Sequence, residues 1–329
     1  MGKSNTHVNI YHGYGHTNDL VVYGHVLKSM PRKMRHDFNH PFKNIIQLLR
    51  LFFVKPVADA RVRLTWKSMV LEGTTEKDGL FKFEWVSSEH VAAGWHEVTV
   101  AHIDEKGSVL TESKGSIYVP HVTQYAFISD IDDTVLVSHS ATTLKRLREL
   151  FIKSARMRSA FGDVAKHYEL LSTSNTVPET PNPFFYVSSS EWNLYYYLVE
   201  FFHFNRLPDG TFLLSQLKQW HQLLKTGKNK HEGKLIRIMR IIKVFPLQAF
   251  VLIGDNTQSD PTIYEAIVHK YPGKIHAVYL RNAKKENEQG TRKLLEGLQK
   301  KGVHTCLFDH NSEAIEHSKK IGLISKNDL

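Results

Sequence analysis

Residues 125–135, YAFISDIDDTV, set an apolar strand-like run directly against three carboxylates, Asp130, Asp132 and Asp133. Neighbouring anions repel one another and lose hydration where they crowd, so a cation is expected among them. In an extended segment residues i and i+2 project to one side, which brings Asp130 and Asp132 together and turns Asp133 away. Two oxygen ligands at the end of a strand suit Mg²⁺, which completes its shell with water and phosphate oxygens. A polar turn or a calcium-like loop is the plain alternative for this stretch by itself.

The chain has 329 residues, long for one domain and comfortable for two, because single cores stop growing near ~250 residues. A hydrophobic content of 41% with 11 prolines describes a globular protein. A lone cysteine, Cys306, cannot form an internal disulfide, which fits a reducing, cytoplasmic setting. The first twenty residues lack the apolar core and cleavage site of a secretory signal, and the loose match of Gly2–Thr6 to an acylation pattern is read as chance. The formal net charge of +10 favours an anionic partner, whether a lipid surface, a nucleic acid or a phosphorylated substrate.

Residues 1–120 read as an all-β domain. Runs at 20–27, 61–66, 80–85, 95–101 and 116–119 are rich in Val, Trp and Phe, with Lys77-Asp78-Gly79 and Glu105-Lys106-Gly107 as turns. The expected architecture is a small antiparallel sandwich, and TTEKDGLFKFEW followed by GWHEVTVAHID resembles transthyretin-like and carboxypeptidase-regulatory-like sandwiches. One insertion, PFKNIIQLLRLFFVKP at 41–56, carries Ile45, Leu48, Leu49 and Phe52 at helical spacing. The helix from Ile45 to Val54 would reach only ~15 Å, half a bilayer's hydrocarbon core, so it either docks on the sandwich or lies on a membrane surface.

From Thr123 the rhythm changes to apolar strands alternating with helical stretches, the pattern of a parallel sheet with crossover helices, and 121–329 is taken as one α/β domain. Strands are expected at 125–129, 184–188, 249–253, 275–280 and 304–308. Ligands of such open sheets gather at the carboxyl ends of the strands. Three groups of polar residues fall there or feed into it. Ser188-Ser189-Ser190 follows the second strand and precedes a helix expected from Glu191, where a hydroxyl is a ready phosphate ligand, with Ser190 as the N-cap. A basic amphipathic helix, HEGKLIRIMRIIKVFP, brings Lys234 before the third strand. That strand ends in Gly254-Asp255, with Asp260 and then Pro261 opening a helix.

The spacing DxDxT at Asp130, Asp132 and Thr134, then Ser188, Lys234 and GDxxxxD at Asp255 and Asp260, resembles the four motifs of the haloacid dehalogenase superfamily. Within it, PFFYVSSSEWNLYYYLVEFF, LPDGTFLL and the run from Phe245 to Arg281 are similar to the catalytic domain of the actin-patch-type phosphatidate phosphatases and, more distantly, the lipins. The resemblance implies Mg²⁺, a Rossmann-like sheet, and hydrolysis of phosphatidic acid through an aspartyl-phosphate. It implies Asp130 as nucleophile, Asp132 as general acid and base, and Asp130, Asp132 and Asp255 as metal ligands. Ser188, Ser189 and Lys234 would take the phosphate, with Thr134 and Asp260 in support. Relatives often have His before the lysine; this chain has Gly233.

The intervals 135–183 and 189–233 are too short for a separate lid domain, so the site is expected to be open to a large substrate. Two other readings stand beside a phospholipid: a phosphoprotein or nucleic-acid end, and a non-catalytic phosphatidate-binding module. Nucleic acid is the less expected partner. The stretch 142–158, TTLKRLRELFIKSARMR, joins six basic residues to an apolar stripe and reads as either a peripheral membrane contact or a crossover helix with a solvated basic side. Trp192, Tyr195, Tyr196, Phe201 and Phe202 are expected to pack as core rather than touch acyl chains. His12 and His16 are too close to Gly13 and Gly15 to ligate a metal from a helix, whereas His231 could approach the phosphate.

Overall fold

In this computed structural model the described residues are 6–28, 51–131, 154–216, 230–257 and 259–325, with the side chains of 154–162 and 230–232 excepted. Asp132, Asp133 and Thr134 lie outside them, as do residues 41–50 and 142–153 of the two basic amphipathic stretches and the side chain of His231. The described residues divide into two compact units. One takes those up to Pro120 with Glu191–Tyr196 and Gln216; the other takes the remainder. Among them no helix is long and apolar enough to cross a membrane.

The first unit is β-rich. Its strands are β1 His7–Ile10, β2 Gly13–His16, β3 Asp19–Leu27, β4 Arg61–Trp66, β5 Met69–Thr74, β6 Leu80–Trp85, β7 Gly94–Ile103 and β8 Val109–Val119. They pair in the order β1-β3-β2-β8-β7-β4-β5, with β6 on β3. Alternation in β4 and β6 sends Val62, Leu64, Trp66, Phe81, Phe83 and Trp85 into one shared core. The expectation of a purely antiparallel sheet needs correcting, because β2 and β8 run parallel, Gly13 opposite Ile117 and Tyr14 opposite Tyr118. The strand β2 escapes sequence reading because GYGH looks like a loop. Gly15 there has φ +146° and lies so close to β3 that a Cβ would meet the Asp19 carbonyl oxygen. Of the insertion expected to be helical, Leu51 and Phe52 form a buried turn and the chain then runs without regular structure to a bridge between Pro56 and Leu27. Trp192 stacks on Tyr11 at 4.1 Å and 9°, so this ring is core, as are Tyr195 and, in the second unit, Phe202; Tyr196 is partly exposed.

The second unit is α/β. Its strands are β9 Tyr125–Ser129, β10 Phe184–Glu191, β11 Gly210–Ser215, β12 Ala249–Asp255, β13 Ile275–Arg281 and β14 His304–Phe308, in the order β11-β10-β9-β12-β13-β14. The pairs from β10 through β14 are parallel. The helices are α1 Ser154–Ser172, α2 Tyr195–Phe204, α3 Lys230–Val244, α4 Asp260–Lys270, α5 Glu288–Gln299 and α6 Asn311–Lys320. Every residue of β9 is buried, as a central parallel strand requires. The chain steps from β9 to β10 on one side and later to β12 on the other, which makes the β9/β12 boundary the place where the strand order reverses. Open sheets leave a crevice at that point, outside the carboxyl ends of the strands.

One helix start is corrected. The strand β10 continues through Ser190 to Glu191, and a short 3₁₀ turn at Trp192–Leu194 precedes α2, so Ser190 caps no helix. All eight residues of β10 are buried, and the serine run behaves as interior strand instead of a solvated cap. The helix α1 continues well past Arg158, to Ser172.

Candidate active site

The backbone sets the first contact of the site. Ser129 pairs with Ile253 across β9 and β12, and the Asp130 N–H donates to the Ile253 carbonyl at 2.8 Å. Two parallel strands in this register end side by side, which puts Asp130 and Asp255 at the mouth of the same crevice. Asp260, the first residue of α4, joins them: one carboxylate oxygen from each of Asp130, Asp255 and Asp260 lies within 4.8 Å of the others. All three are buried, at 2%, 0% and 1% exposure, so water does little to screen their repulsion.

Lys234, from α3, supplies the counter-charge. Its Nζ lies 2.8 Å from Asp130 Oδ1 and also donates to Asp260 Oδ1. Burial pulls the ammonium pKa down, but the charges of Asp130 and Asp260 and their hydrogen bonds outweigh it and hold Lys234 above its ordinary value. Asp255 has no such partner among the described residues. Burial and then the charge of Asp260 push its carboxyl up to about 6, against the opposing pull of the Thr257 hydrogen bonds and Lys234.

Among the described residues, three carboxylates and one ammonium leave two formal negative charges in a buried site. Asp255 Oδ2 and Asp260 Oδ2 are buried without a hydrogen-bond partner among the described residues. Unsatisfied carboxylate oxygens and a double negative charge fit a hard divalent cation, for which an all-oxygen donor set is the usual one.

The surrounding backbone is braced for close approach. A Cβ on Gly254 would stand 2.5 Å from Asp260 Oδ2 and 2.8 Å from the Tyr264 hydroxyl oxygen, so only glycine fits between β12 and α4. After Asp255 the chain is held by Asn256, whose Nδ2 donates to Asn282 Oδ1 at 2.8 Å and whose Oδ1 accepts from the Lys284 N–H at 2.8 Å. Asn287 Nδ2 donates to the Asn256 carbonyl at 2.6 Å.

The remaining expected residues stand as follows. Tyr186 pairs with Ser129, so Ser188 reaches the level of Ile131 at the carboxyl end of β9. It is fully buried, its Oγ accepts the Ser190 N–H at 2.8 Å, and its carbonyl accepts from Arg237 Nη2 at 3.1 Å. Ser189 is buried, and its carbonyl accepts from Ser215 Oγ at 2.8 Å. The structure therefore brings Asp130, Asp255, Asp260 and Lys234 together, sets Ser188 and Ser189 on the adjacent strand, and leaves Asp132 and Thr134 outside the described residues.

Sequence reading passed over Ser129, Tyr168, Arg237, Asn256 and Tyr264. Spacing carries no signal for them, because a tyrosine on a helix's apolar side looks the same whether its hydroxyl serves a site or merely the core.

Residues 125–282 match the model of the family described as phosphatidate phosphatase APP1, catalytic domain. The chain is 30% identical over 157 residues to phosphatidate phosphatase APP1 of Saccharomyces cerevisiae, an alignment covering 47% of this chain and 25% of that protein. It thus spans about a quarter of the length of the curated relative it matches. Among solved structures, a carbohydrate acetylesterase from Xanthomonas citri, XAC1771, is 9% identical over 93% of this chain and 72% of its own, with a TM-score of 0.29. Beta-glucuronidase 3 of Bacteroides uniformis is 6% identical over 84% and 33%, with a TM-score of 0.25. At those scores neither likeness bears on fold or chemistry. By the family match and the yeast relative, residues 125–282 of this chain are similar to the APP1-type phosphatidate phosphatase catalytic domain.

Proposed function

We propose that this chain is a Mg²⁺-dependent phosphatidate phosphatase of the haloacid dehalogenase type, releasing diacylglycerol and inorganic phosphate through an aspartyl-phosphate. The observation that carries the reading is the buried meeting of Asp130, Asp255 and Asp260 with Lys234 at the strand-order reversal, within a segment matching a phosphatidate phosphatase family.

Asp130 is the nucleophile. The Lys234 ammonium at 2.8 Å keeps it ionised, so an oxygen lone pair is available to form the O–P bond as the bond from phosphorus to the glycerol oxygen breaks. Asp132 gives a proton to the departing alkoxide and takes one from the water that then cleaves the aspartyl-phosphate. Ser188 and Ser189, within β10 just beyond the level where β9 ends, hold phosphate oxygens, and Asp260 keeps Lys234 turned toward Asp130. Thr134 braces the loop. Mg²⁺, held by Asp130, Asp255 and the main chain of Asp132, would neutralise charge on the phosphoryl oxygens.

Between β9 and β10 the described residues form α1 and a loop, and between β10 and α3 they form a 3₁₀ turn, α2 and β11. Such short connections support a site without a lid domain, open to a headgroup in a bilayer. The net charge of +10 supports an enzyme peripheral to an anionic membrane, the lone Cys306 fits a cytoplasmic setting, and 1–120 forms a separate sandwich domain. The test compares phosphate release from phosphatidate vesicles and from a soluble aryl phosphate, with Mg²⁺ and with chelator. Much higher kcat/KM on vesicles is expected, and equal rates on the two substrates would sink the lipid reading.

A further inference from the structure

The two peptide groups that flank the Asp130 Cα are each held by a buried tyrosine acting through one intermediate atom. On the carbonyl side, Ser129 Oγ donates to the Asp130 carbonyl at 2.7 Å. That spends the only proton Ser129 Oγ has, so the 2.7 Å contact between Ser129 Oγ and the Tyr168 hydroxyl is one in which Tyr168 donates. On the amide side, the Ile253 carbonyl that accepts the Asp130 N–H at 2.8 Å also accepts the Tyr264 hydroxyl at 2.9 Å. Tyr168 belongs to α1 and Tyr264 to α4, and both are fully buried.

We propose that Tyr168 and Tyr264 are positioning residues that fix the peptide groups on either side of Asp130, and through them the carboxylate, against Asp255 and Lys234. The inference rests on the proposed role of Asp130. Neither hydroxyl touches a reacting atom; each satisfies a main-chain or serine partner whose other bond goes to Asp130. Two separate helices therefore set the two successive peptide groups around the Asp130 Cα, which stops the strand end from swinging. Burial pushes both phenols above their ordinary range, helped at Tyr264 by the charges of Asp260, Asp130 and Asp255 and at Tyr168 by that of Asp130 against the opposing Ser129 hydrogen bond, consistent with hydroxyls that stay protonated and keep donating. Placement of this kind matters because a shift of ~1 Å in a reacting group costs up to ~100-fold in rate.

The experiment uses the full chain with Tyr168→Phe, Tyr264→Phe, Ser129→Ala, Ser129→Thr and the double variant Ser129→Ala/Tyr168→Phe, each checked for native circular dichroism. Two readouts are taken: kcat and KM on phosphatidate vesicles, and the affinity for Mn²⁺ alone by titration calorimetry. Expected are a fall in kcat of about tenfold for each Phe variant with KM held, and a Mn²⁺ affinity weakened several-fold. Ser129→Thr, which keeps the hydroxyl, should retain activity. Because Tyr168 acts through Ser129, the double variant should be no worse than Ser129→Ala; fully additive losses would overturn that route. Unchanged kcat and unchanged Mn²⁺ affinity in folded Phe variants would overturn the clamp. If the wild type binds Mn²⁺ but releases no phosphate, the proposed function fails and Mn²⁺ affinity decides the clamp by itself. Should Tyr168→Phe not fold, the contrast of Ser129→Ala with Ser129→Thr decides the carbonyl side.

Discussion

Lys234 Nζ lies 2.8 Å from Asp130 Oδ1, with both side chains almost wholly withdrawn from solvent. A buried ion pair is not by itself a source of stability, but removing one partner leaves an uncompensated charge. Here the ammonium also serves Asp260, so its loss would strand two carboxylates beside a third, Asp255.

Lys234→Met should therefore cost about 3–5 kcal/mol in the absence of metal. A divalent cation should restore more stability to the variant than it adds to the wild type, since it replaces the missing charge. Thermal unfolding with and without Mg²⁺ measures both. Phosphate release should fall by more than 100-fold even when the variant is folded, in line with loss of an electrostatic group at a transition state.

Gly254→Ala tests the close passage of β12 against α4. The new methyl would press on Asp260 Oδ2 and the Tyr264 hydroxyl, neither of which can leave without breaking a buried bond. A loss of about 1–3 kcal/mol is expected, typical of overpacking, together with lowered activity. Urea unfolding that matches the wild type would contradict it.

Gly233→Ala should have the opposite sign. Gly233 lies inside α3, where glycine costs about 0.5–1 kcal/mol relative to alanine. Among the described residues, its added methyl would meet the Arg237 guanidinium, Nη1 at 3.3 Å, the movable end of a long side chain. A small gain in unfolding free energy is expected, with activity within about twofold of the wild type.

Acid sensitivity should come in part from two histidines far from the carboxylates in sequence. Burial lowers His25 in the first unit and His167 in the second from 6.5 to about 3. With folded values below the unfolded one, the unfolded chain holds the extra proton between those limits. Stability is complete above pH 6.5 and is lost as pH falls toward 3, at about 1.4 kcal/mol per pH unit for each group. In His25→Leu the unfolding free energy of the first unit should vary with pH less steeply by that amount between pH 6 and 4. An unchanged slope would show that His25 is not buried in its neutral form.

Apart from β11, the edge strand Gly210–Ser215 that was not expected, the second unit's sheet was readable because buried parallel strands are continuous apolar runs, and Phe127–Ser129 and Val251–Ile253 have few other ways to be read. The placing of Asp130 near Asp255 follows from the same fact, since polar residues after such runs must stand at strand ends. Position is what the spacing carries; the roles of these residues rest on the proposed chemistry. Strands β1, β2 and β5 were less legible. In GYGH the glycines mimic a loop, and in MVLEGT alternate residues are only half-buried, because β5 is an edge strand. Ser190 misled for a related reason: a serine run signals a cap only where the chain is solvated, and burial of β10 depends on strands distant in sequence.

The central claim is that Asp130 attacks phosphorus beside a bound divalent cation. Inorganic phosphate released from phosphatidate vesicles by the wild type, Asp130→Asn and Asp132→Asn, in Mg²⁺ and in chelator, tests it most directly. The account predicts release by the wild type in Mg²⁺ alone, and loss of it in both variants despite native folding. Release that persists in Asp130→Asn, or that is indifferent to chelator, would contradict it.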